Sequence, residues 1–212
     1  MVFESKKELE LELENIPHYP KPKRLLEQYE TPASIASHML WEAYMWGDVV
    51  GKRVLEPGCG TAKFAIGALL LGSKLAVCID IDEDVVSFAN RVLEEKYPLL
   101  RPRVLLVVGD FRDLEVSSVD TVFMNPPFGV YRKNRGLDLQ FLRKALSTAR
   151  SAYTIHKFTE FLDKLVYELA DSYGFRVLRR EYFNFPIPMM FETHRRKVYR
   201  VKTVFYVLKR VE

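Results

Sequence analysis

Cysteine is scarce: two occur in 212 residues. Cys59 and Cys78 also lack the paired spacing of a zinc site, which excludes a disulfide-built scaffold and gives no sign of bound metal. Long apolar runs are missing too. No stretch approaches the roughly eighteen residues a membrane span needs, and the opening Met1-Val2-Phe3-Glu4-Ser5-Lys6-Lys7-Glu8 has no signal-like apolar core, so a cytoplasmic protein without a membrane role is expected. There is no internal repeat, no low-complexity tract and no linker long enough to divide two domains. With 48% hydrophobic residues the chain can bury one full core, and a single domain over 1–212 is expected. Glutamine occurs only twice beside 28% charged residues, a composition that leans toward a thermophilic source.

Chemistry is concentrated in a few motifs. Asn125-Pro126-Pro127-Phe128 directly follows the apolar run 119–124. Two consecutive prolines cannot donate to a ladder, so the strand stops there and the loop beyond it is stiff. An amide and an aromatic ring on such a loop, at the C-terminal end of a parallel strand, suit a planar group carrying an exocyclic NH₂. An ordinary strand-ending Asn-Pro turn is the plain alternative. Upstream, 53–56 reads as a strand leading into the turn Glu56-Pro57-Gly58-Cys59-Gly60-Thr61, and strand 75–80 ends in Asp80, twenty positions after Gly60. Glycines that admit a ligand to the backbone, followed by an acid for ribose hydroxyls, fit a nucleotide-like site. Lys63 stands where a third glycine would be, which argues against a dinucleotide pyrophosphate.

Alternating units predict helices over 4–15, 32–46, 62–71, 83–96, 138–149 and 158–172, with strands over 53–56, 75–80, 103–108, 119–124, 151–155, 175–185 and 198–209. The order implies an α/β fold with a mostly parallel sheet, helices on both faces and a last strand pair that runs antiparallel. Residues 1–47 form a helical extension ahead of a core over 48–212.

The net charge of +4 is uneven: residues 176–212 carry ten Lys or Arg against three Glu, leaving 1–175 at about −3. Basic residues interleaved with aromatics are the footprint of phosphate contact and base stacking, and His194, Arg195, Arg196 and Lys197 are expected to meet RNA. Arg200, Lys202, Lys209 and Arg210 read instead as a solvated strand face. The segment 129–136, with Lys133 and Arg135, is expected to be mobile and able to close over a nucleotide, and Asp138 to cap the helix that follows. The apolar segment 184–191, with two prolines, reads as a loop that touches the substrate pocket or a partner.

The ordered set Glu56-x-Gly58-x-Gly60, Asp80, Asp110 and Asn125-Pro-Pro-Phe128 resembles class I S-adenosylmethionine-dependent amino-methyltransferases. With Lys21-Pro22-Lys23, Leu26-Glu27-Gln28-Tyr29-x-Thr31, Asp80-Ile81-Asp82-Glu83-Asp84 and His156-Lys157, the chain resembles the methyltransferase-like family whose eukaryotic members methylate N6 of an adenosine in small-subunit ribosomal RNA, together with its archaeal relatives. The resemblance implies a Rossmann-like sheet of seven strands, one of them reversed. It also implies S-adenosyl-L-methionine as cofactor, with Glu56, Gly58 and Gly60 beneath its methionine part, Thr61 and Lys63 at the helix entry, and Asp80 on the ribose. Asp110 and Phe111 would meet the adenine, and Gln28 and Thr31 would close over the cofactor. Glu56 as a helix-end partner, Thr61 as an N-cap and Gln28 as a surface residue are the structural alternatives. Asn125 and the Pro126 carbonyl would accept from the target amine, beside Pro127, while Phe128 stacks on the base. His156 is open between RNA contact and a structural role. A small zinc-ribbon activator protein is the implied partner. An RNA guanine-N2 methyltransferase, a protein glutamine methyltransferase and a non-catalytic assembly factor are the competing functions.

Overall fold

In a computed structural model that describes residues 3–188 and 198–211, seven strands form one sheet. They are β1 (Arg53–Pro57), β2 (Leu75–Asp80), β3 (Val104–Val108), β4 (Thr121–Met124), β5 (Ser151–Lys157), β6 (Phe175–Pro188) and β7 (Val198–Arg210), in the order β3-β2-β1-β4-β5-β7-β6. Only β7 runs against the others, pairing antiparallel with both β5 and β6. That is the expected seven-stranded class I methyltransferase pattern. The helices are α1 (Lys6–Glu14), α2 (Ala33–Met45), α3 (Lys63–Leu70), α4 (Glu83–Lys96), α5 (Leu137–Thr148) and α6 (Glu160–Ser172). The first four share a core with one sheet face, α5 and α6 with the other. Among the described residues no helix is long and apolar enough to cross a membrane.

The extension is built into the core. Leu9 and Leu13 of α1 are fully buried in the same cluster as Met39 and Leu40 of α2 and Phe64 of α3. Gly67 lets the helices approach: a Cβ there would lie 2.4 Å from Leu40 Cδ1 and 3.3 Å from Leu13 Cδ2.

One expectation is corrected at the C-terminal end, while the expected pocket contact is made by Pro186, which lines the cavity at the sheet's C-terminal edge. Residues 184–188 are not a loop. They continue β6 at the sheet edge, where Pro186 and Pro188 are tolerated because an outer strand need not donate on its open side. The apolar character of this stretch serves the core, since Phe185 and Ile187 are buried in it. Met189, Met190 and Phe191 lie outside the described residues.

The β1–α3 connection shows why the sequence turns where it does. Gly58 and Gly60 adopt φ of 67° and 53°, and Ala62 joins them at 60°, a left-handed run that reverses the chain within a few residues. Ala62, with no capping side chain, is the N-cap of α3, so Thr61 does not cap it. Glu56 takes that task from the end of β1, accepting from Phe64 N at 3.2 Å and Ala65 N at 2.8 Å. Its complete burial raises the carboxyl pKa from 4.5 to about 8, against the pull of those two N–H groups and of Lys63.

Leu13→Ala is expected to lower the unfolding free energy by about 2–5 kcal/mol, read from urea denaturation; an unchanged midpoint would mean that the extension does not share the core. The unfolded chain loses the Glu56 proton near pH 4.5 and the folded chain near pH 8, so this carboxyl stabilises most at low pH and its contribution fades as pH rises between those values. Glu56→Gln should therefore flatten the decline of Tm from pH 5 to 8, and parallel curves would show that the buried carboxyl is ionised.

Candidate functional site

The strand order reverses direction between β1 and β4, and ligands of open α/β sheets bind at the C-terminal edge of such a switch point. A cavity of about 940 Å³ opens there. Its floor includes Gly58, Gly60, Asp80, Asp110, Asn125 and Pro127, and its roof is the extension from Leu25 to Pro32.

On the β1–β2 side the turn is braced by the strand end it faces. Gly58 N donates to Ile79 O at 2.7 Å, and Gly60 N donates to Asp80 Oδ2 at 3.0 Å. Asp80 Oδ1 accepts from Asp82 N at 3.0 Å. Burial raises the Asp80 pKa, although the N–H groups of Gly60 and Asp82 oppose it. Two of its four lone-pair positions are thus used to hold its orientation, and the rest remain for a ligand hydroxyl.

Asp110 also lines the cavity, but its carboxyl is held by the Arg112 guanidinium, with Nε–Oδ1 at 2.9 Å, which pulls its pKa down. Arg112 Nη1 also donates to Gln140 Oε1 at 3.0 Å. Phe111 lines the same wall, buried and tilted against Phe141 at 5.5 Å between centroids.

Three expected cofactor residues, Gln28, Lys63 and Thr31, are hydrogen-bonded to the extension or the fold. Gln28 is not a free surface residue: Nε2 donates to Asp82 Oδ2 at 2.7 Å and Oε1 accepts from Lys23 N at 2.6 Å. Lys63 is buried and donates to Thr31 O at 2.9 Å. Burial lowers its pKa, opposed by Glu30 at 3.7 Å. Thr61 is buried beside it and lines the cavity. Thr31 spends its hydroxyl oxygen on Asn125.

Asn125 is the most informative group in the site. Its Nδ2 donates to Thr31 Oγ1 at 3.1 Å and to Tyr29 O at 3.3 Å. That fixes which way the amide points. The opposite atom, Oδ1, is buried and has no hydrogen-bond partner among the described residues. A buried acceptor without a donor carries a desolvation cost of roughly 1–3 kcal/mol, which a ligand N–H at this point would remove.

The rest of the loop differs from expectation. Phe128 does not present a free stacking face; it is 6% exposed and packs edge-to-face on Phe185 at 5.4 Å. Segment 129–136 is fastened rather than free, because Asn134 Nδ2 donates to Leu25 O at 3.1 Å and Glu27 Oε1 at 2.9 Å, and Tyr131 OH meets the Arg24 guanidinium. Lys133 and Arg135 are exposed on its outer side. Gly136 is the N-cap of α5, not Asp138, which is buried in the first turn 3.5 Å from His156 Nδ1. His156 is fully buried, with Nε2 2.8 Å from Thr154 Oγ1, so it offers no exposed surface for direct RNA contact. His194, Arg195, Arg196 and Lys197 lie outside the described residues.

Tyr29, Glu27, Asn134 and Arg112 line the cavity without having been singled out. Tyr29 and Glu27 sit inside the quoted Leu26–Thr31 motif, which was the available signal. The pairing of Glu27 with Asn134 spans 107 positions and has no sequence signature.

The cavity has room for a nucleoside-bearing cofactor beside a second planar group, with hydroxyl acceptors at one end and the orphaned amide oxygen at the other. The chemistry of the donor set therefore fits S-adenosylmethionine. The Methyltransferase domain family matches residues 54–152. The zebrafish rRNA N(6)-adenosine-methyltransferase METTL5 is 37% identical over 190 residues, covering 80% of this chain and 90% of that protein. Its Drosophila melanogaster counterpart is 39% identical over 157 residues, covering 71% and 72%. A crystal structure of a candidate RNA methyltransferase from Pyrococcus horikoshii superposes with a TM-score of 0.87 at 34% identity over the full length of both chains. With the class I sheet and this cavity, that similarity makes the chain a member of the METTL5 family of S-adenosylmethionine-dependent methyltransferases.

Proposed function

We propose that this chain methylates N6 of an adenosine in small-subunit ribosomal RNA in the cytoplasm, assisted by a small zinc-ribbon activator. The observation that carries the chemistry is the oriented Asn125 amide with its unpartnered buried Oδ1. An exocyclic amine conjugated to a ring is a poor nucleophile, and its orientation decides its reactivity. Asn125 Oδ1 accepts one N–H of that amine and the Pro126 carbonyl accepts the other, which leaves the nitrogen lone pair directed out of the ring plane. Thr31 and Tyr29 hold the amide from behind, so Asn125 cannot flip and offer a donor instead. Bound S-adenosylmethionine supplies an electrophilic methyl group on sulfur. Asp80 and the Gly58–Gly60 turn bind its nucleoside and methionine parts, and Pro127 lines the wall next to Asn125.

The exposed Lys133 and Arg135 flank the acceptor loop and suit phosphate contact. Phe128 supports the loop through Phe185; to stack on a base it would have to leave that contact. In this reading 1–47 and 48–212 act as one domain, since Leu9 and Leu13 share a core with Phe64. The edge strand β3 is the surface that suits an added partner strand: among the described residues it pairs only with β2, and its Leu105 and Val108 are 52% and 50% exposed.

With labelled S-adenosylmethionine and unmodified small-subunit ribosomal RNA, wild type should place label in N6-methyladenosine and Asn125→Ala should lose at least about a hundredfold in rate. Label in N2-methylguanosine or in protein glutamine would overturn the adenosine assignment. Leu105→Asp should abolish co-elution with a zinc-ribbon partner on gel filtration while leaving S-adenosylhomocysteine binding unchanged; equal co-elution would place the partner elsewhere.

A further inference from the structure

Glu27 carries two local costs at once. Its backbone is left-handed, with φ 52° and ψ 43°, a conformation that disfavours any side chain other than glycine or asparagine. Its carboxyl group is also buried, with the residue only 5% exposed, and Oε2 has no hydrogen-bond partner among the described residues. Glycine would remove both costs. The other oxygen is fully occupied: Oε1 accepts from Asn134 Nδ2 at 2.9 Å and from Tyr131 N at 3.2 Å. Holding the acceptor loop therefore accounts for one oxygen and leaves the second unexplained.

The surroundings define what that oxygen can meet. Glu27 and Asn134 both line the cavity. The next residue, Gln28, reaches Asp82, which in turn donates its N–H to Asp80. Glu27 thus stands where the hydroxyl-binding end of the cavity joins the 131–134 segment beyond Asn125-Pro-Pro-Phe128. Oε2 is an acceptor and requires a donor. The amino group of the target base is assigned to Asn125, the adenine of the cofactor to Asp110 and Phe111, and its methionine part to the Glu56–Gly60 turn, so the donors left in this region are ribose hydroxyls.

We propose that Glu27 Oε2 accepts a hydrogen bond from a ribose hydroxyl of a nucleoside bound in the cavity, and so acts as a binding residue that selects ribose. This rests on the methyltransferase reading of the cavity. The hydroxyl has two sources: the cofactor's own ribose, or the 2′-hydroxyl of the target nucleotide. The second source would make Glu27 a determinant of RNA over DNA.

The test pairs Glu27→Gln, which keeps an oxygen for Asn134 but replaces the free acceptor with a donor, with removal of single hydroxyls from the ligand. One arm measures binding of S-adenosylhomocysteine and of its 2′-deoxy and 3′-deoxy forms by calorimetry. The other measures kcat/KM on a short RNA with and without a 2′-hydroxyl at the methylated nucleotide. In one arm, deleting the contacted hydroxyl should cost wild type about tenfold to a hundredfold, the cost of leaving a buried acceptor unpaired, and cost the variant less than about threefold. Equal losses in wild type and variant for every hydroxyl in both arms would overturn the proposal, since a purely structural glutamate would shift all ligands alike. Glu27→Gly, which this backbone accepts without strain, gives the same comparison if the glutamine variant folds poorly. The calorimetric arm contains no RNA and so stands even if the methyl acceptor is not adenosine.

Discussion

The amide of Asn125 can act as an acceptor only because its NH₂ is fastened to Thr31 and Tyr29, residues from the far end of the chain. A lone Asn at the end of β4 would rotate, presenting donor and acceptor in turn. Here the extension removes that freedom, and much of the site follows from the same attachment. Lys63 binds Thr31 O, Gln28 binds Asp82, and Glu27 binds Asn134. Each such bond contributes a net of about 0.5–1.5 kcal/mol. Together they turn a flexible connection between α1 and α2 into the roof of the cavity.

That roof is anchored from below by packing rather than by polar contacts. Leu9 and Leu13 on one helix and Met39 and Leu40 on the next share buried surface with Phe64 and Ile66 on α3, whose own start is held by Glu56 from β1. The hydrophobic term sets where the extension lies, and the hydrogen bonds set the orientation of what it carries. Burial of Glu56, Lys63 and Asp80 around one turn also concentrates shifted titrations there, as sites that bind charged or polar ligands commonly do.

The acceptor loop is built on the same economy. Its two prolines stop β4, Phe128 plugs the loop into the core against Phe185, and Asn134 ties its far end to Glu27. The loop thus has a buried aromatic root and a fastened end. The strain at Glu27 and the unpaired oxygens of Glu27 and Asn125 are the places where local preference yields to the site.

Much of this was legible in the chain itself. Strand-turn-helix periodicity, the glycine turn, the acid at the end of β2 and the proline stop after β4 are local, so the seven strands and the cavity residues Gly58, Gly60, Asp80 and Asn125 could be read in advance, while Asp110 and the sheet pattern came with the family resemblance. The predicted strand stopped at 185 and residues 186–188 were misread as loop because proline signals a break, and only the outer position of β6 makes it harmless. Phe128 read as an exposed platform and His156 as an open choice because burial is a property of the packed molecule, not of a motif. Local sequence determined which chemical groups stand at the sheet's edge. Tertiary packing decided which atom of each group is left free, because hydrogen-bond partners such as Thr31 for Asn125, or Asn134 for Glu27, arrive from parts of the chain about a hundred positions away, and no local pattern encodes their arrival.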